Sequence, residues 1–230
     1  MFDHIKHKVT LIEILKDIYS DPNLRTVLGF KGGTAAMMFY SLPRMSVDLD
    51  FDLLQEDKKE RVFEKIKAIL DRHGTVYDAV EKHFTLFFVL SYGKEHRNVK
   101  IDISKRSATN IYEVKSYFGI SMFVMKKEDM IAGKLAALLS RKKFAMRDVF
   151  DLWFFLKNKW DINEQFLRDK IDVSLSKALD LAIKKVSGIS ENELLQGLGE
   201  LLDEKQKKWV KDKLVEETIF YLRLYKENLK

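Results

Sequence analysis

Residues 47–53, VDLDFDL, alternate strictly between apolar and acidic side chains. Alternate residues of a β-strand point to opposite faces, so this period of two predicts a strand with one apolar face. The other face carries Asp48, Asp50 and Asp52 in one row, where like charges repel each other. Either this face of the sheet simply meets water, or its carboxylates hold a cation.

A second predicted strand, NVKIDIS at residues 98–104, supplies another acid on its polar face. If the two strands lie side by side, Asp102 joins Asp48 and Asp50. Three convergent carboxylates suit a hard divalent cation, Mg²⁺ or Mn²⁺, which can support nucleotidyl transfer by activating a nucleophile and stabilising a leaving oxygen. Asp52 is either a fourth ligand or, because it sits farther along its strand, an acid that faces solvent, and we expect the second.

The segment FKGGT lies upstream of the acidic strand and places Gly32 and Gly33 before a short apolar helix that Pro43 ends. Glycines let the backbone turn tightly and approach a ligand closely. A helix that begins near Thr34 points free N–H groups at this turn, which suits phosphate. A Gly-Gly pair alone is an ordinary turn, but the order strand, glycine turn, short helix and acidic strand is far more specific.

The remaining patterns divide the chain into a mixed half and a helical half. Near-helical spacing predicts an N-terminal helix with Ile5, Val9, Ile12 and Tyr19 on its apolar face. A second amphipathic helix and two β-rich runs follow the acidic strand, and after about residue 117 the pattern becomes helical. We therefore predict the α+β class, with a catalytic core over residues 1–120 and an α-helical domain over residues 121–230.

Composition excludes several classes of protein. The chain has 230 residues, of which 46% are hydrophobic and 33% charged, as in ordinary globular proteins. It has no cysteine, which excludes disulfides and thiolate metal sites and fits a cytoplasmic location. No apolar run approaches a membrane span, and charges interrupt the N-terminal apolar residues, unlike a signal peptide. The net charge of +6 is compatible with a nucleotide or nucleic-acid partner.

The segment KGGTAAMMFYSLPRMSVDLDF resembles the signature of the nucleotidyltransferase AbiEii/AbiGii toxin family, which includes the MenT toxins. The matching positions are Lys31, Gly32, Gly33, Arg44, Ser46, Asp48, Asp50 and Phe51. This family belongs to the DNA polymerase β-like nucleotidyltransferase superfamily, so the resemblance implies a mixed β-sheet with flanking helices and a helical C-terminal domain that closes the nucleotide cleft. It also implies a set of nucleotide-binding residues, namely Lys31, Gly32, Gly33, Thr34, Arg44 and Ser46.

A downstream segment, EDMIAGKLAALLSRKKFAMRDVFDLWFFL, resembles the later motifs of the same family. Lys134 and Arg141 are seven residues apart and fall on one helix face, which is either a solvated basic face or a phosphate-binding one. The resemblance favours nucleotide phosphates for Lys134 and makes Arg141 a further candidate. Asp148 and Asp151 lie on a helix that is apolar nearly all round, so they need partners. Asp148 would either join an ion-pair network or position a substrate and assist proton transfer.

Together these features predict a nucleotidyltransferase that moves a nucleotide from an NTP to an acceptor and releases pyrophosphate. Asp48, Asp50 and Asp102 would hold the metal, while Lys134 and Asp148 would assist catalysis. The resemblance implies the toxin of a type IV-like toxin–antitoxin pair, with a cognate antitoxin or its gene product as partner and tRNA as the favoured acceptor. The alternatives are a small-molecule-modifying enzyme of the antibiotic-modifying type, a protein-modifying enzyme, and a non-catalytic nucleotide- or partner-binding module.

Overall fold

The structure, a computed structural model, describes residues 3–93, 96–106, 110–141 and 145–229. The chain divides into two compact units, of which the first ends at Met125 and the second begins at Lys126. The first unit is a mixed β-sheet with flanking helices, and the second unit is built from helices. The predicted α+β class is therefore confirmed.

The first unit is organised around a seven-stranded sheet in its described residues. Its helices are α1 (His4–Ser20), α2 (Gly32–Tyr40) and α3 (Lys59–His73). Its strands are β1 (Leu28–Lys31), β2 (Leu49–Leu53), β3 (Thr75–Glu81), β4 (Thr85–Ser91), β5 (Val99–Ser104), β6 (Tyr112–Tyr117) and β7 (Ile120–Met125). The order of the strands across the sheet is β3-β4-β5-β2-β1-β7-β6.

The register of the central strands decides which side chains meet. Strand β2 pairs in parallel with β5 and antiparallel with β1. Asp50 lies directly opposite Asp102 on β5 and opposite Lys31 on β1. Side chains of residues in register point to the same face of a sheet, so these three form one row. The predicted adjacency of the two acidic strands is confirmed.

Helix α1 is the predicted N-terminal helix, but among the predicted apolar residues only Tyr19 is buried. Its N-terminus is capped by Asp3, whose carboxylate accepts from the backbone N–H of Lys6 at 2.9 Å. Ile5 is 80% exposed and Val9 is 47% exposed. The buried apolar residues are Leu11, Ile14, Leu15, Ile18 and Tyr19. This second stripe has the fuller i, i+3, i+4, i+7 spacing, so it covers more of the core.

In its described residues, the second unit is built mainly from α-helices. They are α4 (Lys127–Ser140), α5 (Met146–Lys157), α6 (Glu164–Ile171), α7 (Leu175–Ser187), α8 (Glu204–Trp209) and α9 (Val215–Glu227). Residues 121–125, which the sequence pattern assigned to the helical domain, belong to β7 in the sheet of the first unit. Among the described helices, none combines the length and the apolar character that crossing a bilayer requires.

Candidate functional site

The glycine turn between β1 and α2 packs against the acidic strand. Gly32 has a φ of +78°, and a Cβ atom at this position would lie 2.2 Å from Oδ2 of Asp50. At Gly33, a Cβ atom would lie 2.7 Å from Nη2 of Arg44 and 2.8 Å from Oγ of Ser46. A larger residue at either position would force these side chains to shift, so the two glycines allow the backbone to lie against them.

Buried polar side chains hold the loop that leads into β2. Thr34 Oγ1 lies 2.9 Å from Ser46 Oγ and donates to the backbone carbonyl of Asp48 at 2.5 Å. Arg44 Nη1 donates to the backbone carbonyl of Met45 at 2.9 Å. These contacts place Asp48 at the entrance of the strand, beside the glycine turn. The structure thus brings together the residues of the first-half signature.

The acids of β2 and β5 lie side by side in the middle of the sheet of the first unit. Asp50 and Asp102 are partly buried and in register on neighbouring strands. Burial raises the pKa of the Asp102 carboxyl above its ordinary value, although the positive charges of Lys31 and Lys82 act in the opposite direction. Two partly dehydrated acids in register are unfavourable unless a cation neutralises them.

The donor set at this place fits a divalent cation by its chemistry. Asp48, Asp50 and Asp102 offer only carboxylate oxygens, the ligands that Mg²⁺ and Mn²⁺ prefer. Asp48 lies two residues before Asp50, and Asp102 is in register with Asp50. Within the described ranges, no three acidic or histidine side chains are already gathered closely enough to enclose a metal ion. The set therefore fits by register and donor type and is not pre-assembled.

Asp52 is not the solvent-facing acid that the sequence predicted, because it is only 3% exposed. Its Oδ1 accepts from Lys31 Nζ at 2.5 Å, and its Oδ2 accepts from Asn110 Nδ2 at 2.5 Å and from the hydroxyl of Tyr112. The Tyr112 ring passes over Gly29, where a Cβ would lie 2.3 Å from it. The prediction was wrong because alternation gives the face of a residue and not what covers that face.

Lys31 has a protein partner in addition to its place in the signature. Its ammonium pairs with Asp52, and its side chain is 25% exposed. Its charge also reaches Asp102, where it partly offsets the effect of burial on the pKa of that carboxyl. Lys31 therefore supports the row of acids, and its assignment to the nucleotide stays a prediction.

The second-half signature forms an ion-pair cluster within the second unit. Lys134 Nζ on α4 lies 3.1 Å from Asp148 Oδ1 and 2.7 Å from Asp151 Oδ2, both on α5. Arg141 pairs with the other oxygen of Asp148. Both acids are at most 1% exposed, whereas the Arg141 side chain is 43% exposed. Lys134 is thus not part of a solvated basic face, and a further role at phosphates for Lys134 or Arg141 stays a prediction.

His7 is a residue that the sequence patterns did not single out. It is fully buried on α1, where Nε2 lies 2.9 Å from the carbonyl oxygen of Val47 and Nδ1 lies 2.6 Å from the hydroxyl of Tyr92. Burial lowers the pKa of His7, so its imidazole is neutral near pH 7. It ties α1 to the residue before Asp48. No spacing signal marks such a histidine, since its partners are 40 and 85 residues away.

Comparisons with solved structures give the fold. A crystal structure from H. pylori assigned as a nucleotidyltransferase matches with a TM-score of 0.62 and 23% identity, covering 98% of this chain and 95% of that one. The crystal structure of JHP933 from Helicobacter pylori matches with a TM-score of 0.56 and 22% identity, covering 100% of this chain and 98% of that one. At such identities the likeness shows a shared fold.

The class of protein follows from a match to a family model. The geometry beside it is a glycine turn that lies against two acidic strands in register. The family described as nucleotidyl transferase AbiEii toxin, type IV toxin–antitoxin system, matches residues 13–218. The chain therefore belongs to the AbiEii family, and the resemblance is confirmed. No curated protein matches the chain significantly.

Proposed function

We propose that this protein is a toxin that uses Mg²⁺ or Mn²⁺ to transfer a nucleotide from an NTP to the acceptor end of a tRNA. The observation that carries the proposal is the register of Asp50 with Asp102 beside the glycine turn at Gly32. Family membership supports nucleotidyl transfer in general. RNA is the favoured acceptor because some relatives in the family modify the acceptor end of tRNA.

The reaction assigns distinct roles to the residues of the first unit. Asp48, Asp50 and Asp102 hold the cation, which when bound activates a nucleophile and stabilises the charge of the leaving group. The backbone N–H groups at Gly33 and Thr34, at the start of α2, bind the triphosphate. The acceptor oxygen forms a bond to the α-phosphorus, the bond from that phosphorus to the bridging oxygen breaks, and pyrophosphate leaves. The proton of the acceptor hydroxyl passes to solvent.

The second unit contributes a lysine that is held by two buried acids. Lys134 Nζ lies 3.1 Å from Asp148 Oδ1 and 2.7 Å from Asp151 Oδ2. By family resemblance, we assign Lys134 and Arg141 to nucleotide phosphates. Asp148 then acts as a positioning residue for both cations, since one carboxylate contacts the two of them. A cognate antitoxin, or its gene product, is the partner that a toxin of this family requires.

The proposal is tested with purified protein, Mg²⁺, total tRNA and each α-labelled NTP in turn. The negative control is the double variant Asp48→Ala/Asp50→Ala, and the matched control is Asp57→Ala, which removes an exposed acid whose side chain is 69% accessible. We expect label on tRNA with the wild type and with Asp57→Ala, and none with the double variant.

Other outcomes of this assay favour the alternatives. The tRNA could stay unlabelled while NTP binding still needs Mg²⁺ and Asp48. This result would favour a protein or a small molecule as the acceptor instead of RNA. If the protein shows no transfer and no metal-dependent NTP binding, the acidic face of the strand is a water-facing sheet surface. The protein would then be a non-catalytic binding module.

A further inference from the structure

The turn between β3 and β4 and the residues after β5 form a basic and aromatic surface, which we call the hairpin platform. Its members are Lys82, His83, Phe84, Phe87, Lys105 and Arg106. The two segments are joined by a hydrogen bond from the backbone N–H of Lys105 to the carbonyl of Phe84 at 2.8 Å. Phe84 is 47% exposed, so part of its ring is open to a ligand.

Cations and rings alternate on the platform. Lys82 Nζ lies 3.7 Å from the centre of the Phe87 ring, and the Arg106 guanidinium lies 4.3 Å from the centre of the Phe84 ring. Lys105 pairs with Glu81 at 2.5 Å. Lys82 and Arg106 give the described residues of the platform their net positive charge. Rings for stacking beside cations for phosphates are the two components that single-stranded nucleic acid requires.

The platform adjoins the row of acids. Phe87 is in register with Asp102 across β4 and β5, so the two share a face of the sheet. Lys82 and Arg106 are close enough to Asp102 for their charges to act on its carboxyl. Lys105 and Arg106 also line a pocket of about 180 Å³ that continues along this face to Asp52.

The topology separates the platform from the glycine turn. Strands β2 and β5 are parallel, and β1 runs antiparallel to β2. Gly32 therefore lies at the end of the sheet where β2 begins, and Arg106 lies at the end where β5 finishes. The pair of Asp50 and Asp102 lies between them along the strands. A nucleotide held at one end and an acceptor held at the other would meet at these acids, as an in-line displacement needs.

We propose that the hairpin platform holds the single-stranded end of the acceptor RNA, with a base stacked on Phe84 and Arg106 and phosphates on Lys82. The inference rests on the proposed function, which it deepens by naming the surface that selects the acceptor. A bare triphosphate would leave the exposed ring unused, whereas a base stacks on it regardless of sequence.

The test measures binding of a fluorescein-labelled 12-nucleotide single-stranded RNA by fluorescence anisotropy at several salt concentrations. Phe84→Ala and Arg106→Ala are the test variants. Tyr77→Ala, which removes a ring that is 69% exposed on the same hairpin, and Arg61→Ala, which removes an exposed arginine on α3, are the matched controls. We expect roughly tenfold weaker binding for each test variant, wild-type binding for the controls, and recovery in Phe84→Trp.

The salt dependence separates the two roles on the platform. Arg106→Ala should reduce the slope of log K against log[salt] by about one, whereas Phe84→Ala should leave it unchanged. In the transfer assay, both variants should raise the KM for RNA and leave the KM for NTP unchanged.

Two results would overturn the inference, and each is distinct from failure of the proposed function. Equal RNA binding by test variants and controls would exclude the platform as the acceptor surface even if transfer to tRNA occurs. Binding of polyglutamate in place of RNA, lost in the same variants, would make an acidic protein its occupant. Absence of transfer would refute the proposed reaction, but the anisotropy measurement would still decide whether the platform binds RNA.

Discussion

The two units of this protein treat their buried acids in opposite ways. In the second unit, Asp148 and Asp151 on α5 are almost fully buried, and Lys134 neutralises them from within the same unit. In the first unit, Asp50 and Asp102 face each other across two strands, and burial raises the pKa of Asp102 despite the cations around it. One cluster pairs its acids with cations on the neighbouring helix, and the other places two acids in register on neighbouring strands.

This difference distinguishes acids with a structural role from acids that are candidates for binding a metal ion. Asp52 is only two residues from Asp50, yet it is saturated by Lys31, Asn110 and Tyr112. Asp52, which has its own donors, is therefore a structural element, whereas the register of Asp50 with Asp102 makes these two acids the candidates for a divalent cation.

The largest expected effect comes from removing the charge of Asp50 at the candidate metal site. Asp50→Asn keeps the shape of the side chain and should lower the transfer rate by roughly 10⁴-fold, because a cation ligand is lost. The melting temperature should not fall, since the variant relieves repulsion with Asp102. Transfer kinetics and thermal unfolding check the two halves of this prediction. Activity within tenfold of the wild type would remove Asp50 from the chemistry.

Removing a charge from the ion-pair cluster of the second unit should instead lower the stability of the fold. Lys134→Ala leaves Asp148 and Asp151 buried with less positive charge and should lower the free energy of unfolding by about 3–5 kcal/mol. Urea denaturation measures this loss, with Lys177→Ala, an exposed lysine on α7, as the matched control. A loss below about 1 kcal/mol would show that water or Arg141 already compensates these acids.

Metal-free stability gives a smaller contrast between the clusters. Burial raises the pKa of Asp102 in the folded state, so its ionised form opposes folding, and this penalty grows as the pH rises through the folded-state pKa. Asp102→Asn should therefore raise the melting temperature at pH 7.5 by roughly 2–4 °C in the presence of a chelator. Differential scanning calorimetry checks the shift, and a lowered melting temperature would contradict the unfavourable charge.

The smallest expected effect concerns the support of the acidic strand by His7. Burial lowers the pKa of His7 below its ordinary value of 6.5, so the stability that its neutral form provides is complete above pH 6.5 and declines as the pH falls from there. Urea midpoints at pH 7.5 and pH 5.5 should therefore differ more for the wild type than for His7→Gln. Parallel pH profiles would mean that the contacts of His7 to Val47 and Tyr92 tolerate protonation.

Local signals in the sequence predicted the centre of the first unit. Alternation over β2 and β5 and the Gly32–Gly33 turn depend on neighbours along the chain, so they were recognisable without the structure. Strands β3 and β6 were not predicted, because they are the edges of the sheet and expose apolar residues such as Tyr77 and Val114. Strand β7 was missed because its apolar run adjoins a helical segment and lacks clear alternation.

Long-range partners explain what the sequence could not predict at the site. The burial of Asp52 depends on Asn110 and Tyr112, which are 58 and 60 residues away. Tyr112 reaches it only because Gly29, on the intervening strand, has no side chain. The partners of Lys134 were predicted as one of two alternatives, since acids on a helix apolar nearly all round must pair with cations. No pattern along the chain indicated that Lys31 would pair with Asp52.

The most direct test of the central claim is a calorimetric titration of each NTP into the protein with Mg²⁺ and with a chelator. The claim is that Asp50 and Asp102 bind a divalent cation together with the nucleotide. It predicts NTP binding by the wild type that requires Mg²⁺, and loss of this requirement together with weaker binding in Asp102→Asn. Binding that is equal with and without Mg²⁺, or equal in wild type and variant, would contradict it.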